Sequence, residues 1–153
     1  KRMIRALEYY RQTGLRISEH NRDEHNKKSP YDFCYFVLTD DRRKIYERIN
    51  ERVDEMIDAG LVNEVKILLS EKANPGNISM QGIGYKEIIS YLKGKISLDE
   101  AVDLIKKNSR HFAKRQLTWF KRERDVIFID KRYDNAPLET ILSTIAKAGI
   151  INE

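Results

Sequence analysis

Apolar positions recur every three or four residues along most of the chain, the spacing that places side chains on one face of an α-helix. This pattern predicts a helix over residues 1–14, mainly helical structure over 40–123 and a final helix over 137–149. Two short apolar runs, at 31–38 and 126–130, suit buried strands instead. The expected fold class is therefore mainly α with two short strands, part of an α/β layer whose remaining strands lie elsewhere.

Capping and turn residues predict several boundaries. "SLDE" at 97–100 is a capping box, which predicts the start of a long helix. Thr39 and Asp40 are the expected caps of the helix that follows the first strand. Residues 18–30, "SEHNRDEHNKKSP", are almost wholly polar and end in Ser-Pro, so we expect a mobile loop there.

One face of the long helix carries apolar residues at heptad spacing: Leu98, Ile105, Phe112 and Trp119. An aromatic side chain in such a set belongs to a core more often than to a binding surface. We therefore expect Trp119 to be buried rather than to stack on a ligand.

Composition narrows the class of protein. A chain of 153 residues fits one domain, and 29 Lys and Arg against 24 Asp and Glu make it basic, with a net charge of +5. The single Cys34 excludes an intrachain disulfide and fits a reducing, cytosolic setting. No apolar run approaches the roughly 20 residues that a membrane span needs, so no membrane segment is expected.

The basic residues concentrate in one stretch. Residues 104–124 contain eight Lys and Arg, and Glu123 is the single acid-bearing side chain among them. A one-signed stripe on a helix favours a phosphate backbone, because each contact releases counterions. The alternative is a solvated helix surface. Four basic residues lie within about 60° of one another, nearly opposite the apolar face: Lys107, Arg110, Lys114 and Lys121.

A second basic group precedes this stripe. Arg48 and Arg52 lie four residues apart, on one helix face, with Arg42 or Arg43 about a turn and a half earlier. Arginines so spaced can form forks onto a phosphate or diphosphate. The alternative is intrahelical pairing with nearby acids: Glu47, Glu51, Asp54 and Glu55.

The segment "QGIGYKE" at 81–87 places two glycines before a predicted helix, where backbone N–H groups can meet an anion. Two glycines are also common in an ordinary turn. No His, Cys or carboxylate cluster has metal-ligand spacing, and no catalytic triad spacing is visible. The residues by themselves indicate a basic, mainly helical nucleic-acid-binding fragment without its own catalytic centre.

Four segments carry a resemblance to a known family: "KRMIRALEYYRQTG", "RRKIYERINERVDEMIDAGLVNEV", "QGIGYKEIISYLKGKISLDEAV" and "AKRQLTWFKR". They occur in order and at family-like spacing. Nearly the whole chain thus resembles the C-terminal half of bacterial tRNA dimethylallyltransferases, also called tRNA isopentenyltransferases.

The resemblance implies a fold and a reaction. The fold is a P-loop-kinase-like α/β transferase, of which residues 1–153 would be the C-terminal part. The reaction moves a dimethylallyl group from dimethylallyl diphosphate to N6 of the adenosine 3′ of the anticodon. The implied partners are the tRNA anticodon stem-loop and the prenyl donor, with Mg²⁺ as cofactor. The whole enzyme would be a cytoplasmic monomer.

The resemblance also implies site residues. Arg42, Arg48 and Arg52 match arginines near the donor diphosphate. Three segments match tRNA-contacting segments of the family. Together with the basic helix face, the expected tRNA-binding residues are Lys1, Arg2, Arg5, Gln81, Gly82, Gly84, Tyr85, Lys86, Lys107, Arg110, Lys114, Arg115, Gln116, Thr118 and Lys121.

Departures from the family pattern limit what this chain is expected to do alone. The glycine-rich phosphate loop (G-x-T-x-x-G-K-[ST]) and the acidic general base that follows it are not in this sequence. We therefore expect a part of a longer enzyme that catalyses nothing by itself. Two alternatives remain open: a non-catalytic helical RNA-binding module, and a domain whose basic faces bind an acidic protein.

Overall fold

The computed structural model describes residues 2–71 and 74–149, which divide into two units, one up to Phe33 and one from Cys34. The first unit is a pair of helices, α1 (Arg2–Thr13) and α2 (Ile17–Asn26). The helix expected over 1–14 is confirmed for its described residues, and Lys1 lies outside them.

The prediction of a loop over 18–30 was wrong, because α2 occupies most of it. Local interactions stabilise this helix in place of an apolar face. The Arg16 N–H donates to Glu19 Oε2 at 3.2 Å, and the Tyr9 and His20 rings pack with centroids 5.1 Å apart. A polar composition therefore hid a helix whose start is fixed by its own Glu side chain.

The second unit contains a parallel pair of strands, β1 (Tyr35–Thr39) and β2 (Val126–Asp130). β2 lies where the sequence predicts it. β1 begins four residues later than the apolar run at 31–38 and ends one residue beyond it. The reason is that β2 has five residues, so five residues of the run find a partner for their backbone hydrogen bonds.

The remaining elements of the second unit are helical, as predicted for 40–123 and 137–149, and the fold class of mainly helix with two short strands is confirmed. A short 3₁₀-helix lies between the second and third helices of this unit. The elements are α3 (Arg42–Asp58), α4 (Leu61–Ser70), the 3₁₀-helix (Ser79–Gln81), α5 (Tyr85–Leu92), α6 (Leu98–Phe120) and α7 (Pro137–Lys147).

Helix starts follow the capping chemistry, with one correction. The Ser97 hydroxyl accepts from the Glu100 N–H at 3.1 Å, and the Ser97 N–H donates to Glu100 Oε2 at 2.7 Å, which confirms the capping box. The cap of α3 is Asp41 rather than Thr39 or Asp40, since the Asp41 side chain accepts from the backbone at the start of the helix. Asp40 instead accepts the Asp41 N–H.

The core of the second unit is formed by α3, α4, α5 and the first half of α6. Burying each branched aliphatic side chain here contributes about 1.5–3 kcal/mol. Its buried members are Val53, Leu61, Val65, Met80, Ile88, Ile89, Ala101 and Ile105.

The heptad face of α6 is buried at one end only. Ile105 is 1% exposed, whereas Phe112 and Trp119 are 48% and 54% exposed. The prediction that the aromatic members lie in the core was therefore wrong. Helix α6 extends beyond the short α5, so its second half has fewer elements to cover it.

Candidate functional site

An apolar cavity of about 670 Å³ lies between α3 and the middle of α6. Small side chains on α6, Ser109 and Ala113, leave the space open, and Ile83 contributes from the loop before α5. Arg48, Arg52 and Gln116 bring polar atoms to the lining. The other lining residues are Ile45, Ile49, Val53, Met56, Ile105 and Phe112.

The two arginines of this cavity are held differently. Arg48 pairs with Asp40, whose carboxylate lies 2.5 Å from the guanidinium. The backbone N–H of Asp41 and then Arg48 hold the pKa of Asp40 below its ordinary value. Arg52 pairs with Glu55 at 3.6 Å on the exposed side of α3. Exposed pairs of this kind are weak, so Arg52 can turn to an anionic ligand at little cost.

Arg42 does not join these two arginines. It lines a second, smaller cavity of about 110 Å³ with Lys114 and Lys121, which lie two turns apart on α6. Thr118 and Tyr46 border the same space. Two members of the predicted basic stripe and one predicted diphosphate ligand thus meet at one place.

The rest of the stripe is less exposed than the sequence predicts. Lys107 faces solvent, but Arg110 is half-buried and donates to Asn50 Oδ1 at 2.5 Å. The prediction that Arg110 lies on a displayed face was wrong, because α3 packs over that side of α6. Arg115 lies over the Phe112 ring, 5.8 Å from its centroid, where a cation–π contact holds it.

The loop expected to contact tRNA is fixed by a residue that sequence reasoning missed. Glu87 is 4% exposed, and its carboxylate accepts from the Gly84 N–H at 2.9 Å and from Asn108 Nδ2 at 2.8 Å. Lys86 Nζ lies 3.6 Å from the same carboxylate. The signal was available: Glu at the third position of a helix commonly reaches back to the backbone at its start.

Gly84 has a positive φ of 102°, which favours glycine at this turn. Beside it, the Tyr85 hydroxyl donates to Glu64, and this hydrogen bond raises the pKa of Tyr85. Gln81 and Gly82 are exposed just before the turn. The Gln81 side chain donates to the Pro75 carbonyl at 2.5 Å.

The remaining predicted RNA contacts lie in the first unit. Arg2 and Arg5 are exposed on α1. Lys1 falls outside the described residues.

Within residues 2–71 and 74–149, no group of three or more His, Cys, Asp or Glu side chains is arranged to hold a metal ion. The cations that line the two cavities are arginine and lysine side chains. Among the described helices, none is both long and apolar enough to cross a membrane.

A family model described as IPP transferase matches residues 1–123. The chain belongs to this family. It is 52% identical over 147 residues to a tRNA dimethylallyltransferase from Lachnoclostridium phytofermentans, and the match covers 96% of this chain and 47% of that protein.

Solved structures of family members agree. A tRNA isopentenylpyrophosphate transferase from Bacillus halodurans is 40% identical, with a TM-score of 0.75 over 96% of this chain and 44% of that one. A tRNA Δ(2)-isopentenylpyrophosphate transferase from Staphylococcus epidermidis is 38% identical, with a TM-score of 0.75 over 95% of this chain and 48% of that one. The chain therefore spans just under half the length of these IPP transferases.

Proposed function

We propose that this chain is the donor-contacting and tRNA-docking part of a tRNA dimethylallyltransferase. The observation that carries the proposal is the apolar cavity with Arg48 and Arg52 in its lining. Dimethylallyl diphosphate has a five-carbon apolar tail and a highly charged head. A cavity that offers hydrocarbon walls and two guanidinium groups matches both ends of that molecule.

In the proposed reaction, N6 of the adenosine 3′ of the anticodon attacks the first carbon of the prenyl group. A C–N bond forms, the C–O bond to diphosphate breaks, and N6 loses one proton. The target base must leave the anticodon-loop stack for N6 to reach this carbon. Arg48 and Arg52 would stabilise the negative charge that grows on the departing diphosphate.

Docking of the RNA would fall to cations and to the loop before α5. Exposed candidates in the second unit are Lys107, Lys114 and Lys121. Glu87 holds the loop at Gly84 and also pairs with Lys86, which lies in the first turn of α5. Arg2 and Arg5 are the candidates in the first unit. We further propose that the whole enzyme is a cytoplasmic monomer that binds the anticodon stem-loop.

Mg²⁺, which the resemblance implies for the whole enzyme, has no cluster of ligands among the described side chains. It would help to neutralise the diphosphate when bound. Within this chain, the groups that would neutralise the diphosphate are Arg48 and Arg52.

The test uses the complete gene product that contains this chain, labelled dimethylallyl diphosphate and an anticodon stem-loop RNA. We expect the RNA to gain one C5H8 unit at the target adenosine, read by mass spectrometry of a nuclease digest. Arg52→Ala should lower kcat/KM for the donor by roughly 10- to 100-fold, since a hydrogen bond to a charged group is lost.

The matched control is Arg43→Ala, which removes the same charge from the same helix. Arg43 pairs with Glu47 at 3.6 Å and borders neither cavity. Equal loss in both variants would mean that net charge, not the cavity, matters. RNA binding without transfer by the complete protein would instead support the non-catalytic RNA-binding module.

A further inference from the structure

The small cavity between the start of α3 and the second half of α6 carries a concentration of uncompensated positive charge. Arg43, Arg48 and Arg52 each have a carboxylate at 2.5–3.6 Å. Among the described residues, no carboxylate forms an ion pair with the three cations of the small cavity: Arg42, Lys114 and Lys121. Three like charges around one space repel one another unless an anion joins them.

Helix geometry separates Arg42 from the arginines of the large cavity. Arg48 and Arg52 are four residues apart and about 40° apart around α3, whereas Arg42 and Arg48 differ by about 120°. Ile45 and Ala113 line both cavities and so form the wall between them. Arg42 therefore borders the small cavity, whereas Arg48 and Arg52 border the large one, so a ligand of the large cavity would not meet Arg42.

The other groups around the small cavity leave its three cations as the ligands for an anion. The Thr118 hydroxyl donates to the Lys114 carbonyl at 2.9 Å within α6, so it is not available to donate to an anion. The start of α3 is capped by the Asp41 carboxylate, which accepts from the Arg43 N–H at 2.9 Å. The backbone N–H groups at that helix end therefore already have an acceptor and are less available to an anion.

We propose that Arg42, Lys114 and Lys121 form a binding site for a phosphate group of the RNA backbone, separate from the donor site. This proposal rests on the proposed function. The space of about 110 Å³ has roughly the volume of four water molecules, which suits a phosphate group better than a prenyl diphosphate. Arg42 is thereby assigned to the RNA and not to the donor diphosphate.

The RNA is favoured over the donor as the source of this phosphate because all three cations are exposed. Exposed lysines and arginines hold a polyanion by releasing its counterions, and they do so without reading sequence. The donor tail needs an apolar wall, and the large cavity on the other side of Ile45 supplies that.

The experiment compares Arg42→Ala with Arg43→Ala in the complete gene product. With anticodon stem-loop RNA as the probe, Arg42→Ala should weaken binding about tenfold, as expected for one lost charged hydrogen bond. It should also reduce the slope of log K against log salt by about 0.7–0.9, and leave KM for dimethylallyl diphosphate unchanged. Lys121→Ala should behave in the same way.

Ethylation of RNA phosphates locates the contact. One phosphate whose ethylation weakens binding of the unchanged protein should lose that effect in the Arg42→Ala variant. The proposal is overturned if Arg42→Ala raises KM for the donor, or if it matches Arg43→Ala in RNA affinity. If Arg42→Ala does not fold, Lys121→Ala decides by the same readouts. Complete absence of prenyl transfer by the unchanged protein would reject the proposed function instead.

Discussion

The two halves of α6 carry the same heptad spacing but lie in different surroundings. In the first half, Ala101 and Ile105 are buried against α3 and α5. In the second half, Phe112 borders an open cavity, and the Trp119 and Phe120 rings meet edge to face with their centroids 5.2 Å apart. A heptad pattern thus identifies a face that can be buried, while the length of the neighbouring helices decides which part of it is buried.

The largest expected effect tests this difference directly. Ile105→Ala should cost about 2–5 kcal/mol of local stability, because it leaves a hole in a packed core. Trp119→Ala removes a larger side chain that is 54% exposed and should cost less. The readout is hydrogen exchange of the α5 and α6 peptides in the complete gene product, which reports the free energy of local opening. Equal losses would mean that another part of the protein covers Trp119.

Glu87 marks the boundary between the two halves, since it joins Gly84 on the loop to Asn108 on α6. Glu87→Ala removes the acceptor from the buried Gly84 N–H and from the half-buried Asn108 amide, and should cost about 1–3 kcal/mol. Glu87→Gln keeps an acceptor and should cost less. The measurement is the opening free energy of α5 by hydrogen exchange. If Gln and Ala cost the same, the negative charge matters and the two hydrogen bonds do not.

Much of this arrangement could be predicted from the sequence where local chemistry decides it. Ser97 and Glu100 sit three residues apart and place the start of α6 correctly. Helix α2 is not predicted by its polar composition, because its start depends on one local hydrogen bond, from the Arg16 N–H to Glu19. The average polarity of residues 18–30 predicts a loop, whereas the position of Glu19, three residues after Arg16, is compatible with a helix start.

The candidate site was less predictable because it depends on contacts between helices. The sequence identifies the arginines of α3 and the lysines of α6 as separate groups. Which arginine meets which lysine depends on how α3 crosses α6, and no local pattern encodes that. Arg42 beside Lys114 and Lys121 is therefore a finding of the structure, as is the wall that Ile45 forms between the cavities.

The smallest expected effect lies just before α3, where the Asp40 carboxylate pairs with Arg48. The pKa of Asp40 is lowered from 3.8, first by the Asp41 N–H and then by Arg48. Because the pKa of Asp40 is lower in the folded protein than in the unfolded chain, the ionised carboxylate stabilises the fold at any pH above the unfolded-state pKa. This stabilisation is lost as the pH falls through the folded-state pKa. Stability should therefore decline on acidification below about pH 4.

Two substitutions separate the causes of that decline. Asp40→Asn should remove this part of the pH dependence, whereas Arg48→Gln should remove only a share, since the Asp41 N–H at 2.8 Å remains. Hydrogen exchange at the start of α3, compared between pH 3 and pH 6, measures both. If Arg48→Gln flattens the pH profile as fully as Asp40→Asn, the ion pair, not the backbone hydrogen bond, sets the pKa of Asp40. Arg48 would then be less free to meet a diphosphate than Arg52.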